Sequence, residues 1–222
     1  MSTRIQKPAG IVFDFDGTIA DTQALIVSCF RATYERLGRP APSFEAIAAT
    51  IGLSLERAFQ QLSGFSETEA EEIAAEYRRV FDGRVGEETV PIAGMPEVVR
   101  ACRSLGVPLA VASSRGTGSL LPMIDALGLA GCFREVVGRE DVTEEKPAPA
   151  MLVEVARRLA VPVTELLMIG DTYYDLEMAR RAGCRALGVS FGNHSRQELS
   201  KAEPAAIVDA PEEILGLLGM DL

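Results

Sequence analysis

Gly10-Ile11-Val12-Phe13-Asp14-Phe15-Asp16-Gly17-Thr18 is the stretch on which the fold turns. Residues 11–15 read as a brief apolar strand running from Gly10 into a turn at Gly17. Further strands of the same kind are expected at 109–112, 133–137, 166–169 and 186–189, with a weaker one at 206–208. Helical stretches fit between and after them, at 96–105, 118–127, 148–159, 174–182 and 212–218. Apolar strands separated by helices predict an α/β fold, a parallel sheet core with helices on both faces.

One interval departs from that alternation. Residues 21–91 contain no convincing strand. Val27, Phe30, Tyr34 and Leu37 recur at three and four residues, the spacing of one helical face. Ser66 followed by Glu69 is a capping box that opens a second helix, whose apolar face is Ile73, Tyr77, Val80 and Phe81. The expected organisation is a core built from 1–20 and 92–222, with a small all-helical cap, 21–91, inserted after the first strand.

The composition removes several chemistries. The chain has 222 residues and a net charge of −10, which disfavours nucleic acid or an anionic membrane as partner. A single histidine, His194, excludes paired catalytic or zinc-binding histidines, and no CxxC exists among Cys29, Cys102, Cys132 and Cys184. None of the lysines, Lys7, Lys146 and Lys201, follows glycine, so there is no phosphate loop of the GKS/T kind. With no long apolar run or apolar leader, the expected location is the cytoplasm, with reduced thiols. The chemistry that remains falls to carboxylates, hydroxyls, a few cations and a bound ion.

Parallel sheets bind ligands beyond the carboxyl ends of their strands. Asp14, Asp16, Gly17 and Thr18 follow the first expected strand, Ser113, Ser114 and Arg115 the second, and Asp171 and Asp175 the fourth. Lys146 precedes Pro147, just ahead of a helix. Asp14 and Asp16 lie two apart and lean the same way on extended backbone. Clustered aspartates are costly unless a positive charge sits among them, and an oxygen-only set suits Mg²⁺. Taken singly, each also has an ordinary use as a turn former or helix cap.

Asp14-Phe15-Asp16-Gly17-Thr18, Ser113, Lys146-Pro147 and Gly170-Asp171 with Asp175, in this order, resemble the four motifs of the haloacid dehalogenase superfamily. The helical interval is similar to the small cap of its phosphoglycolate phosphatase and β-phosphoglucomutase branch. The resemblance implies a Rossmann-like core and a two-step phosphoryl transfer. Asp14 is then the nucleophile, and Asp16 the acid and base. Asp14, the backbone carbonyl of Asp16, and Asp171 hold Mg²⁺, with Asp175 supporting the ion from behind. Ser113 and neighbouring backbone amides receive phosphate oxygens, with Ser114, Arg115, Gly17 and Thr18 at the same place, while Lys146 steadies phosphate and nucleophile.

The implied partner is a small phosphorylated metabolite, phosphoglycolate being favoured, and the implied assembly a monomer or homodimer. A mutase returning the phosphoryl group to a sugar uses the same nucleophile and is the second outcome. A metal-free dehalogenase and a silent binding protein fit the filled acidic positions less well. Arg39 and Arg57 are candidates for substrate contact from the cap, and His194 reads as a loop residue.

Overall fold

The computed structural model describes residues 5–84 and 88–220. Strand β1 is Gly10–Phe13, all four residues buried. The chain then makes a two-residue strand, β2 (Ala20–Asp21), and four helices: α1 (Gln23–Arg36), α2 (Phe44–Ala48), α3 (Leu55–Ser63) and α4 (Glu67–Asp82). After β3 (Val90–Pro91) come α5 (Met95–Ser104), β4 (Leu109–Ala112), α6 (Thr117–Ala126), β5 (Glu135–Val137) and α7 (Ala150–Leu159). The chain closes with β6 (Leu166–Gly170), α8 (Tyr173–Ala182), β7 (Arg185–Val189), α9 (Arg196–Ser200), β8 (Ala206–Val208) and α10 (Pro211–Leu217). Among the described residues, no helix is long and apolar enough to cross a membrane.

The main sheet has six parallel strands in the order β5-β4-β1-β6-β7-β8. Its strands are apolar throughout because both faces are covered. Ile11, Phe13, Val111, Leu167 and Ile169 pack with residues of α5, α6 and α10 such as Val99, Met123 and Ile214. Val12, Ala110 and Met168 face the other way, onto Leu152 and Val155 of α7 and Met178 of α8. Strand periodicity of two makes this division. Because β1 pairs with β4 on one side and β6 on the other, the strand order reverses beside its carboxyl end.

The expected strands and helices occur, with shifted ends. β1 stops at Phe13, although the Asp14 amide still donates to the Ile169 carbonyl at 2.9 Å. β5 starts at Glu135, later than its apolar run suggests. Leu37 falls beyond α1 and is 37% exposed, so it does not extend that helix's buried face. The stretch expected to lack strands supplies Asp21 and the whole of β3, which pair as a two-stranded antiparallel ribbon, Ala20 with Pro91 and Asp21 with Val90. Both chain crossings between sheet and helices therefore run side by side. Helix α9 was not expected, yet Ser195 and Glu198 make the same reciprocal cap as Ser66 and Glu69.

Within the four-helix insert, packing is largely aromatic. Phe30 lies 4.7 Å from Phe59 and 5.0 Å from Tyr77 between ring centroids, and Tyr34 and Phe81 extend the cluster. These apolar faces come from the helical spacing of α1 and α4. Ser43, Ser54 and Ser66 begin α2, α3 and α4, each accepting a backbone amide three residues on.

Candidate active site

Beyond the carboxyl ends of β1, β4 and β6, five sequence-predicted residues come together: Asp14, Ser113, Lys146, Asp171 and Asp175, each at most 3% exposed. Lys146 is their hub. Its ammonium donates to Asp14 Oδ1 at 2.7 Å, to Asp175 Oδ1 at 2.6 Å and to the Ala112 carbonyl at 2.9 Å. Those three bonds use every donor the group has. Burial opposes the charge on Lys146, but Asp14 and Asp175 overcome it and hold the ammonium above its usual range.

Asp171 is positioned from two loops. Thr18 donates to Oδ1 at 2.9 Å, and the backbone and side-chain nitrogens of Asn193 donate to Oδ2 at 2.7 and 2.8 Å. The turn after β1 approaches so closely that a Cβ on Gly17 would lie 2.2 Å from Asp171 Oδ2. Gly17 also has φ +83°, so glycine is required there on both counts. Asp175 closes the capping box of α8: its Oδ2 accepts from the Thr172 amide at 3.1 Å and hydroxyl at 2.6 Å.

Asp14, Asp171 and Asp175 each bring a carboxylate oxygen within 4.8 Å of the other two. Burial, then the charge of Asp175, raises the carboxyl of Asp14 well above its ordinary range despite Lys146. Burial and Asp175 likewise push Asp171 up to about 7, against the hydrogen bonds from Asn193 and Thr18. Three buried carboxylates with one ammonium between them lack positive charge, and their all-oxygen donor set fits a hard divalent cation. Both oxygens of Asp171 and of Asp175 already accept hydrogen bonds, but the Lys146 ammonium bonds Asp14 and Asp175 and not Asp171. Asp14, held through one oxygen only, and Asp171, which has no ammonium on it, are therefore the two with most to gain from a bound cation.

Asp16 stands apart from that group. Its carboxylate makes a bidentate pair with Arg115, Oδ1 to Nη2 at 2.7 Å and Oδ2 to Nε at 3.0 Å, and Oδ1 accepts from the Thr22 hydroxyl at 2.7 Å. Arg115 in turn stacks over Phe81 of α4 at 4.1 Å. The resemblance gives Asp16 to the metal through its backbone carbonyl; its carboxylate is outside the group of converging oxygens formed by Asp14, Asp171 and Asp175.

Other expected positions are used differently. Thr18, expected beside phosphate, is fully buried with its hydroxyl on Asp171. The Ser114 hydroxyl donates to the Gly52 carbonyl of the insert at 2.8 Å, while Ser113 Oγ accepts from the Arg115 amide at 3.2 Å. Arg57 pairs with Glu145 at 3.3 Å, and Arg39 lies over the Phe65 ring. Neither lines the cavity described below. His194 is a loop residue: its Nδ1 accepts from the Tyr173 amide, and burial holds its pKa below the usual value.

The cluster opens into a cavity of about 540 Å³ between sheet and insert, with Asp14, Asp16 and Ser113 among its walls. The insert is tied to the core around it, since Ser54 donates to Glu145 at 2.7 Å. Asn193, Thr172 and Glu145 were not anticipated. Glu145 stands next to Lys146, and Asn193 lies four residues beyond Val189, the end of β7, in the kind of loop after a strand from which other site residues came.

A parallel sheet bearing this acidic cluster at its strand-reversal point defines a member of a hydrolase class, and comparison with known proteins agrees. The chain belongs to the haloacid dehalogenase-like hydrolase family, whose model matches residues 11–189. It is 37% identical to the "Probable phosphatase IndB" of Dickeya dadantii, over 93% of this chain and 91% of that one. It is 28% identical to the phosphoglycolate phosphatase of Salmonella typhimurium, over 98% and 95% of the two chains. A provisionally assigned haloacid dehalogenase-like hydrolase from Bacteroides fragilis superposes with a TM-score of 0.89 at 29% identity, covering 94% of this chain and all of that one.

Proposed function

We propose that this chain is a Mg²⁺-dependent phosphatase that hydrolyses a small soluble phosphomonoester through an aspartyl-phosphate on Asp14. The observation that carries the reading is Asp14 at the wall of the cavity, with one carboxylate oxygen fixed by Lys146 at 2.7 Å. Relatives named as phosphatases along nearly the whole chain support it.

A carboxylate approaching a phosphate dianion meets repulsion of about 8 kcal/mol, taking ~4 kcal/mol per charge pair at ~4 Å and an effective dielectric of ~20. Lys146 offsets part of it and holds Asp14 in line. Asp14 and Asp171, with the Asp16 carbonyl, would hold Mg²⁺, which when bound supplies charge neutralisation at the phosphate oxygens. Asp14 attacks phosphorus and the leaving alkoxide takes a proton from Asp16. Asp16 then removes a proton from the water that attacks the aspartyl-phosphate, releasing phosphate and restoring Asp14. For the first step Asp16 must carry a proton, so its pair with Arg115 has to loosen once substrate is present. Ser113 and adjacent amides receive phosphate oxygens, and the helical insert excludes bulk water.

The partner on this reading is a small phosphorylated metabolite, and phosphoglycolate is the first ester to try. The four cysteines are all free, which suits the cytoplasm. Release of inorganic phosphate from a panel of metabolite phosphoesters, with and without Mg²⁺, tests the function. The Asp14→Asn protein should lose roughly 10³-fold or more of that activity. Undiminished turnover by Asp14→Asn would overturn the reading.

A further inference from the structure

The cavity above Asp14 has two unlike ends. Its floor is polar, whereas the walls given by the insert include Ile26, Phe30, Leu53, Leu55, Ala58 and Phe81. We propose that the organic part of the substrate is a neutral, apolar group of about the size of an aromatic ring, and not a second acidic group. This rests on the phosphatase reading above and narrows it.

Among the described residues, three arginines line the cavity, and each has a carboxylate partner: Arg139 with Glu145 at 2.8 Å, Arg78 with Glu56 at 2.6 Å, and Arg115 with Asp16. The last pair loosens only as the phosphoryl group arrives and so leaves Arg115 to the phosphate end of the substrate. A substrate carboxylate would have to displace one of those partners or lie desolvated without its own. Asp82 and Glu140, also on the walls, add charge of the same sign as that carboxylate. Size points the same way. A volume of about 540 Å³ lies in the range that holds organic ligands well beyond a two-carbon acid. The apolar walls gain from an apolar occupant that covers them and gain nothing from a small hydrated anion.

The test compares three esters with similar alkoxide leaving groups: ethyl phosphate, 2-phosphoglycolate and 2-phenylethyl phosphate. Burial of the ring predicts kcat/KM for the phenylethyl ester above both others by about tenfold or more. Leu53→Arg, which sets an unpaired cation among the walls, should lower that ratio and raise kcat/KM for phosphoglycolate. Calorimetry with the non-hydrolysable pair 2-phenylethylphosphonate and phosphonoacetate gives the same comparison without turnover, with the aryl compound binding more tightly. Phosphoglycolate as the best ester, or phosphonoacetate as the tighter ligand, overturns the inference while leaving a phosphatase. No phosphate release from any ester defeats the phosphatase reading, and the calorimetric order then decides the cavity's preference alone.

Discussion

The carboxyl edge of the sheet and the helical insert are stabilised in opposite ways. At the sheet edge, Lys146, Asp14, Asp171 and Asp175 are buried charges whose positions are set by individual hydrogen bonds. In the insert, Phe30, Phe59, Tyr77 and Phe81 share a cluster of ring contacts in which no single pair dictates the others. Removing Lys146 from the first set leaves buried carboxylates uncompensated, whereas removing one ring from the second leaves a hole. The difference separates two tasks: fixed charges suit a reaction centre, and an apolar wall suits discrimination among organic groups.

The largest expected effect lies at the charged edge. Lys146→Met should lower kcat for phosphate release by about 10² to 10³, because it removes a positive group aimed at developing charge. It should also destabilise the fold by about 3–5 kcal/mol, since Asp14 and Asp175 lose their shared partner. Steady-state kinetics and urea unfolding measure both, and a protein unchanged in both would dissolve the contrast.

Phe59→Ala is the matching change in the insert. Phe59 is fully buried between Phe30, Tyr34 and Tyr77, so its truncation should cost about 3–5 kcal/mol in the same unfolding experiment. Mg²⁺ affinity should stay within about twofold of the parent value, because additivity holds for sites without shared partners. A parallel loss of affinity would show the two regions to be one.

A smaller effect sharpens the account of the acidic cluster. Asp171 titrates at about 7 in the folded protein and near ~3.9 unfolded, so the native state binds the extra proton between those values. Its effect is therefore a loss of stability as pH rises toward about 7, complete above it. Without metal, Tm should fall by a few degrees between pH 5.5 and pH 8, and Mg²⁺ should raise Tm more at pH 8. Glu154 and Glu177, held down to about 2 by their arginine partners, finish titrating below this window. His194 acts in the opposite sense, and Asp171→Asn, which retains it, serves as reference and should show a smaller fall. An equal fall in both proteins would remove Asp171 as the cause.

Some of this was readable before any contact was known. The buried strands announced themselves because both faces of the sheet are covered, so Ile11, Val12 and Phe13 are all apolar. Ser66 and Glu69 marked the start of α4 because a capping box is local chemistry. The β2–β3 ribbon was not readable, since two-residue strands are too short to show a period of two. Arg39 and Arg57 drew attention as cations in the insert, but the insert residues that line the cavity are mainly apolar. Asn193 carries no local signal of its role, which depends on the approach of its loop to Asp171.

By itself the sequence determined the alternation of strand and helix, the helical insertion and the ordered placing of Asp14, Ser113 and Asp171 at strand ends, with Lys146 ahead of a helix, because periodicity and burial are properties of short stretches. Only the tertiary structure decided the pairings: Lys146 with Asp14 across 132 residues, Arg115 with Asp16 across 99 and Arg78 with Glu56 across 22. Coulomb and hydrogen-bond energies depend on distances of a few ångströms between groups far apart in the chain. Those distances are set by strand register and loop path, which no local pattern contains.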